Sequence, residues 1–208
     1  MRNRFLVMSF YMFFLVPMLA MAGGPVTPLR ESGQKKCYTH TSSKPGEKDV
    51  YFKVSDDGEM KRGVAWPDPR FKDNGDGTVT DNLTGLIWLK NANCFGKQTW
   101  MDALVDCAAL SGNGSSCGLT DKSSEGEWRL PNVIELQSLI DYGNASPALP
   151  PGHPFTNVIK KHGYWTSTSY CHNGDAAWYV GMNNGYTFFG YKNETTYVWP
   201  VRGGLVAP

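Results

Sequence analysis

The sequence predicts an α+β domain, built from early strands, two helices and a late antiparallel β meander. Three observations carry this prediction: a run with hairpin turn residues, two capped amphipathic segments, and a series of aromatic and β-branched stretches near the C-terminus. Twenty-three glycines and 13% aromatic residues are also typical of a turn-rich, β-containing domain. With 208 residues, the chain allows one globular domain or at most two small ones.

Residues 1–22 have the pattern of a secretory signal peptide. Two arginines precede an apolar stretch over 5–20, and Ala20-Met21-Ala22 is a cleavage signal. We therefore expect an exported protein that is periplasmic, secreted or associated with the outer surface, with no transmembrane helix after cleavage. An uncleaved anchor is the alternative, but the apolar run is short for a full membrane span.

The composition divides the remaining chain into three parts. Residues 23–57 predict a polar leader with one short strand over 50–54. Residues 58–204 predict the folded domain, because regular turn signals begin near its start. Residues 205–208 are left as a tail.

The run 71–80 reads as strand, Asn-Gly and Asp-Gly turn, then strand, which predicts a hairpin. Its aspartates invite a calcium-loop interpretation. Aligning Gly77 with the glycine of an EF-hand loop places Lys72 and Leu83 at ligand positions, so this interpretation fails. No metal site is predicted.

Two helices are marked by their N-caps. The first begins after Thr99 and ends at 112–114, and the second begins after Asn132, has Glu135 in the capping position and ends at 142–143. The apolar stripe of the first helix comprises Trp100, Ala103, Leu104, Cys107 and Ala108. The apolar face of the second comprises Val133, Leu136 and Ile140.

The C-terminal third predicts four strands, over 164–168, 177–182, 186–191 and 197–202. Asn-Asn-Gly between the second and third of these indicates a tight turn. Pro200 inside the last strand indicates an edge position or a bulge, since proline cannot donate to a ladder.

Export makes the five cysteines candidates for disulfides, and an odd number leaves at least one without an intramolecular partner. Cys94 and Cys117 flank the first helix, so we predict a bond between them. Cys107 lies on the apolar stripe of the first helix, so we expect it to be a small buried thiol without a partner. Cys37 and Cys171 either pair or stay free, and a chain with all thiols free is the remaining alternative.

Several blocks together resemble a known family. They are Gly63–Pro67, Asp76–Trp88, Trp128–Leu136, Tyr164–Thr168, Ala177-Trp178 and Val198–Gly204. In this order they resemble the C-terminal domain family of the Legionella collagen-like protein, over about residues 58–204. The resemblance implies a C-type-lectin-like fold, distantly similar to formylglycine-generating enzymes. The namesake is a surface adhesin that binds sulfated glycans, but no collagen repeat occurs here, so its adhesin role does not carry over.

Catalysis is not predicted. The reactive cysteines of formylglycine-generating enzymes follow a segment that resembles Arg202-Gly203-Gly204, and here only four residues without cysteine follow it. No other catalytic motif and no cofactor motif is present. An enzyme of formylglycine-generating type is therefore the least favoured reading. A net charge of +1 excludes nucleic-acid binding by bulk charge.

The favoured interpretation is a non-catalytic recognition module that binds a glycan or a cell-surface protein. Aromatic rings among amides suit sugar faces and hydroxyls. The tripeptides of calcium-dependent sugar sites are absent. The predicted ligand-binding residues are Tyr170, His172, Asn173, Asp175, Tyr179, Asn183, Asn184, Tyr186, Tyr191 and Asn193. A structural or scaffolding domain of the cell envelope is the alternative, and the oligomeric state is left open.

Overall fold

The fold is seen in a computed structural model, which describes residues 29–36, 56–113 and 116–203. The predicted signal peptide, the predicted strand over 50–54, Cys37 and the tail lie outside these residues. In chain order the elements are α1 (Asp57–Met60), β1 (Phe71–Asp73), β2 (Thr78–Asp81), β3 (Leu86–Leu89), β4 (Lys97–Gln98), α2 (Trp100–Ala109), a 3₁₀ turn (Ser116–Gly118), α3 (Val133–Ser138), β5 (Gly163–Ser169), β6 (Ala176–Gly181), β7 (Thr187–Tyr191), β8 (Thr196–Tyr197) and β9 (Val201–Gly203).

Two sheets organise the described residues, and together with the helices they confirm a mixed α+β architecture. The first sheet has the strand order β1-β2-β3-β9 and the second has the order β4-β8-β5-β6-β7. Strands β5, β6 and β7 form the predicted antiparallel meander, whereas β8 joins β5 in parallel. The predicted early hairpin is also present as β1 and β2, with Gly75 and Gly77 at the positive φ angles that its turn requires.

The prediction of one continuous strand over 197–202 is wrong. Tyr197 pairs with Tyr164 in the five-stranded sheet, whereas Val201 pairs with Trp88 in the four-stranded sheet. Pro200 lies between the two strands and has no N–H to continue a ladder. The chain therefore crosses from one sheet to the other at this point, and the proline marks a change of sheet rather than a bulge.

Both predicted helix N-termini are confirmed. The Thr99 side chain accepts a hydrogen bond from the Asp102 N–H at 3.3 Å. Asn132 and Glu135 form a reciprocal capping box, with the Asn132 side chain accepting from the Glu135 N–H at 2.9 Å and the Glu135 carboxylate accepting from the Asn132 N–H at 2.8 Å. These bonds satisfy N–H groups that have no partner inside the helix.

Both helices end earlier than predicted. Helix α2 ends at Ala109 because Leu110 adopts an extended conformation that places its side chain in the core. Ala108, predicted on the apolar stripe, lies within α2 but is exposed, so the prediction that it belongs to the buried face is wrong. Helix α3 ends at Ser138, where two arginine side chains take over its terminal carbonyls.

These arginines connect the leader to the folded domain. Arg30 donates hydrogen bonds to the carbonyls of Gln137 and Ile140, and Arg70 donates to the carbonyl of Ser138. Positive charge is favourable at a helix C-terminus because its carbonyls carry partial negative charge. Burial, and secondarily the charge of Arg70, lower the pKa of Arg30. Part of the segment that the sequence assigns to a polar leader thus packs against α3.

The main core contains tightly packed aromatic rings. Trp199 contacts Trp88, Phe155 and Tyr164 at centroid distances of 5.7, 4.9 and 5.2 Å. The Trp199 indole donates to the Leu89 carbonyl at 2.8 Å, and the Tyr164 hydroxyl accepts from the Ile159 N–H at 2.7 Å. Burial raises the pKa of Tyr164 above its usual range. The polar atoms of the Trp199 and Tyr164 rings therefore have hydrogen-bond partners. The Trp88 indole N–H is buried and has no hydrogen-bond partner among the described residues.

A disulfide joins Cys94 and Cys117, as predicted, with a Cα–Cα distance of 5.4 Å. Cys107 is a buried free thiol on α2, also as predicted, and burial raises its pKa. Cys171 is exposed and carries a free thiol. Among the described helices, none has the length and apolarity that crossing a membrane would require.

Candidate functional site

The candidate site lies on the face of the five-stranded sheet that α2 only partly covers. Successive side chains of a strand point to opposite faces, so Ala177 and Tyr179 share one face and Val180 lies on the other. Helix α2 packs against Trp165 and Ala177 on the first face. Tyr179 lies beyond the cover of the helix and is half-buried.

We call the resulting depression the tyrosine groove. It has a volume of about 160 Å³ and lies across strands β5, β6 and β7 and the segment leading into β8. It is lined by His162, Gly163, Trp165, Tyr179, Tyr186, Gly190, Glu194, Thr195 and Thr196.

Glycines form the floor beneath both tyrosine rings. A Cβ atom on Gly163 would overlap the ring of Tyr179, and one on Gly181 would overlap the ring of Tyr186. Because glycine has no side chain, each ring approaches the strand backbone closely. A Cβ on Gly190 would also lie 3.2 Å from the Trp165 ring. The rings therefore rest on the sheet instead of standing away from it.

Tyr179 is the centre of the ring arrangement. Its centroid lies 6.0 Å from Tyr186, 6.1 Å from Trp165 and 6.3 Å from Phe188, with interplanar angles of 89°, 81° and 64°. Edge-to-face contacts of this kind are favourable between aromatic rings. The rings of Tyr186, Trp165 and Phe188 therefore contact Tyr179 on three sides. Of these, Phe188 on β7 is 53% exposed.

The polar groups that line the groove include two phenols, the Glu194 carboxylate, two threonine hydroxyls and the His162 imidazole. Partial burial raises the pKa of Tyr179, with further contributions from Tyr186 and Glu194, and partial burial also raises the pKa of Tyr186. Both phenols are therefore neutral at physiological pH and able to donate and accept hydrogen bonds. The Thr196 hydroxyl donates to the Gly163 carbonyl at 2.8 Å, which ties β8 to the floor.

A second aromatic cluster lies on the opposite face of the meander. Tyr170 stacks on Phe189 with centroids 4.3 Å apart and nearly parallel planes. Its ring also meets Trp178 at 5.2 Å and His172 at 5.4 Å, both edge to face. Trp178 pairs with Phe189 across the strands on this face, and the Phe189 ring also stacks on the Phe188 ring at 4.9 Å, so the two ring clusters meet around the outer edge of β7.

The predicted polar residues divide among the turns. Asn173 accepts from the Asp175 N–H at 2.9 Å, and Asn184 accepts from the Tyr186 N–H at 3.2 Å, so both amides stabilise local turns. The Asn183 side-chain oxygen is buried and has no hydrogen-bond partner among the described residues. A shallow depression at the far end of β7 has Asp175, Tyr191, Lys192, Asn193 and Glu194 as its lining.

The structure thus brings together only some of the predicted binding residues. Tyr179 and Tyr186 share the tyrosine groove, whereas Tyr170 and His172 share the opposite cluster. Sequence reasoning missed Trp165 and Glu194. The alternation of Gly163 and Trp165 in one strand was a usable signal, because a glycine two residues from a tryptophan leaves room for a neighbouring ring on the same face.

A wider cavity, of about 620 Å³, lies where residues 31–35, 61–71 and 141–153 meet. Arg70 lies inside it, paired with Asp81 at 3.2 Å and stacked over Trp66 at 4.3 Å. His153 also lines this cavity, and burial together with nearby Lys160 lowers its pKa. The Trp66 indole donates to the Glu31 carbonyl of the leader at 3.1 Å, and Arg70 donates to the Ser138 carbonyl of α3, so this stacked pair links the leader to the helix.

No group of three or more His, Cys, Asp or Glu side chains within residues 29–36, 56–113 and 116–203 is arranged to hold a metal ion. The tyrosine groove therefore offers a ligand phenol and threonine hydroxyls, a carboxylate and the faces of aromatic rings. Such a set suits reversible contact with a polyhydroxylated or amphipathic surface.

These features define a β-rich α+β domain with a surface aromatic groove, and comparison places it in a family. The model of the Lcl C-terminal domain family matches residues 77–202, so the chain belongs to that family. The match begins in the β1–β2 turn and ends in β9, and it includes both long helices, the disulfide and the tyrosine groove. No curated protein matches the chain.

Proposed function

We propose that the protein is an exported, non-catalytic recognition module with a C-type-lectin-like fold that binds glycans in the tyrosine groove. The observation that carries this proposal is the pair of half-buried tyrosine rings resting on glycines beside Glu194. A protein surface is the other ligand class that the sequence predicts for such rings.

The chemistry of the groove fits a sugar ring. The C–H faces of a pyranose pack against aromatic rings, while its hydroxyls donate to carboxylates and exchange hydrogen bonds with phenols and amides. Tyr179 supplies a ring and a hydroxyl, and Glu194 supplies an acceptor. A volume of about 160 Å³ is smaller than the roughly 300–1,000 Å³ of enclosed ligand pockets, so the groove suits one ring of a longer chain.

Export rests on the signal-peptide pattern over residues 1–22. The Cys94–Cys117 disulfide supports it, because such bonds persist in oxidising compartments. We further propose that binding is calcium-independent, since the tripeptides of calcium-dependent sugar sites are absent from the sequence.

A glycan array followed by calorimetry tests this function. The mature protein should bind at least one glycan class, and Tyr179→Ala should weaken binding at least about tenfold, equivalent to about 1.4 kcal/mol. Tyr142→Ala is the control, because Tyr142 is a 51% exposed tyrosine on the loop after α3 that does not line the groove. A chelator should leave the affinity unchanged. Repeating the measurement at high salt separates sulfated from neutral ligands.

Two outcomes would contradict the proposal. Retention of full affinity by Tyr179→Ala would move the site elsewhere, and the absence of any glycan ligand would favour a scaffolding domain. One observation favours that second candidate: Met101 and Val105 on the outer side of α2 are 60% and 58% exposed, which leaves an apolar strip for a partner.

A further inference from the structure

The Glu194 carboxylate lines the tyrosine groove, and its charge is not compensated within the part of the chain that the structure describes. The side chain makes no hydrogen bond and no salt bridge there. Nearby Lys192 donates instead to the Ser169 hydroxyl at 2.9 Å and to the Gly174 carbonyl at 2.7 Å, so its ammonium is already engaged. The charge of Glu194 is therefore available to a ligand.

This carboxylate and two aromatic rings border the same space above Gly190. A Cβ atom on this glycine would lie 3.3 Å from Glu194 Oε2, 3.4 Å from Tyr179 Cε1 and 3.2 Å from Trp165 Cη2. Because glycine has no side chain, the strand itself does not fill this space. The charge of Glu194 also contributes to the raised pKa of Tyr179, as expected for a carboxylate near that phenol.

The two tyrosine rings of the groove form a corner. Tyr179 and Tyr186 are inclined at 89° to each other, and their centroids are 6.0 Å apart. The faces of aromatic rings carry negative potential and attract a cation that lies within about 6 Å of the centroid. Because the rings are perpendicular, one group in the corner between them can lie within that distance of both. Perpendicular rings beside a carboxylate are a suitable site for an ammonium or quaternary ammonium group.

We infer that the ligand of the tyrosine groove carries a positively charged amine, either the protonated amine of an unacetylated amino sugar or a quaternary ammonium substituent on a glycan. The inference rests on the proposed function, because it names the class of glycan that the same groove binds. Glu194 pairs with the charge, and the Tyr179 and Tyr186 rings contact the groups around it. A neutral sugar would hydrogen-bond to the carboxylate without neutralising it, and an acidic sugar would bring a like charge next to it.

Two oligosaccharides of equal length test this inference: a glucosamine trimer and an N-acetylglucosamine trimer. At pH 7 the free amines of the first are mostly protonated, as are α-amino groups with a pKa of about 8. In calorimetry with the mature protein, the glucosamine trimer should bind at least about tenfold more tightly, and added salt should reduce the difference.

Choline chloride, titrated separately, distinguishes the two sources of the charge. Shifts in the ring-proton resonances of Tyr179 and Tyr186 would assign the site to quaternary ammonium substituents. A preference for the glucosamine trimer without such shifts would assign it to protonated amines.

Glu194→Gln isolates the contribution of the charge, because glutamine keeps the size and the hydrogen-bonding capacity of the side chain. It should weaken binding of the glucosamine trimer at least about tenfold and leave binding of the acetylated trimer within about twofold. Glu125→Gln is the matched control. Glu125 is also exposed, makes no hydrogen bond or salt bridge among the described residues, and does not line the groove. It should leave both affinities unchanged, and circular dichroism verifies that both variants fold.

Equal binding of the two trimers with no effect of choline, or an equal loss from Glu125→Gln, would overturn the inference. A neutral glycan that binds through Tyr179 with no loss in Glu194→Gln would also overturn it, while leaving the proposed function in place. Failure of the proposed function gives a different result. In that case no glycan binds, whereas choline shifts both tyrosines in the wild type but not in Glu194→Gln, so the groove binds the cation alone.

Discussion

Two aromatic regions of this molecule use similar residues in opposite ways. Around Trp199, rings from several elements meet edge to face or tilted, the indole donates to the Leu89 carbonyl, and every ring is buried. Around Tyr179, rings meet edge to face with similar spacing, but the cluster rests on glycine backbone and remains open to solvent on one side. The distances between the rings are similar in the two regions. The regions differ in that other side chains enclose the rings around Trp199, whereas the rings around Tyr179 have glycine backbone on one side and solvent on the other.

This difference teaches that ring contacts alone do not distinguish a core from a binding surface. In the core, each ring is enclosed by side chains, so its burial contributes to the stability of the fold. In the tyrosine groove, Gly163 supports Tyr179 from below and nothing described covers it from above. Truncation should therefore reduce stability in the first region and ligand affinity in the second.

The largest expected effect is in the core. Trp199→Ala should lower the free energy of unfolding by about 3 to 5 kcal/mol, because it leaves a large cavity and an unpaired Leu89 carbonyl. Urea unfolding followed by circular dichroism measures this change. Tyr191→Ala, at an exposed ring, should stay within about 0.5 kcal/mol of the wild type. Similar losses for both variants would show that burial does not determine how much a ring contributes to the stability of the fold.

Removal of the disulfide comes next. The double variant Cys94→Ser with Cys117→Ser should lose about 3 kcal/mol, because the bond closes a loop around α2 with a sequence separation of 23. Both half-cystines pack against the main core, so the loss belongs to that region. Cys171→Ser is the control and should unfold at the wild-type urea concentration. A loss under about 1 kcal/mol would show that other contacts hold the ends of α2.

Substitution of Gly163, which lies beneath the Tyr179 ring, tests how the tyrosine groove is built. Gly163→Ala should displace the Tyr179 ring, weakening ligand binding and costing about 1 to 3 kcal/mol of stability through overpacking. Gly174→Ala is a close control, because a Cβ there meets nothing within 4 Å. Chemical shifts of the tyrosine ring protons report the displacement. Unchanged shifts in Gly163→Ala would mean that the ring does not rest on this glycine.

Local signals in the sequence predicted the local structure well. Caps at Thr99 and Asn132, the Asn-Gly and Asp-Gly hairpin, and the Cys94–Cys117 pair all appear as expected, since each depends on residues near one another in the chain. The crossing of the chain at Pro200 was not predictable from spacing alone, because both flanking segments have the pattern of strands.

The candidate site was predicted only in part for a related reason. Tyr170 and Tyr179 were both among the predicted ligand-binding residues, but strand alternation places them on opposite faces of the meander. Glu194 reaches the groove through a turn, and Arg30 reaches α3 from the leader. Such long-range contacts depend on the packing of the whole domain.

The smallest expected effect is a pH dependence that separates the two regions. Burial lowers the pKa of His153, which packs beside Phe155, below its ordinary value of about 6.5. The unfolded chain therefore binds this proton more readily, and stability that is present above about pH 6.5 is lost as the pH falls through that value. Because His153 is only half-buried, we expect a loss below about 1 kcal/mol.

The alkaline limb includes a contribution from the tyrosine groove, beside those of the buried Tyr164 and Cys107, whose pKa values burial also raises. Partial burial raises the pKa of Tyr179, so the unfolded chain releases this proton first, and stability should fall as the pH rises above about 10. Urea midpoints at intervals across both limbs measure the two slopes. His153→Gln should flatten only the acidic limb and Tyr179→Phe only the alkaline one, with His172→Gln as an exposed control. If His153→Gln leaves the acidic slope intact, the proton uptake belongs to another group, and His153 does not distinguish the core from the groove.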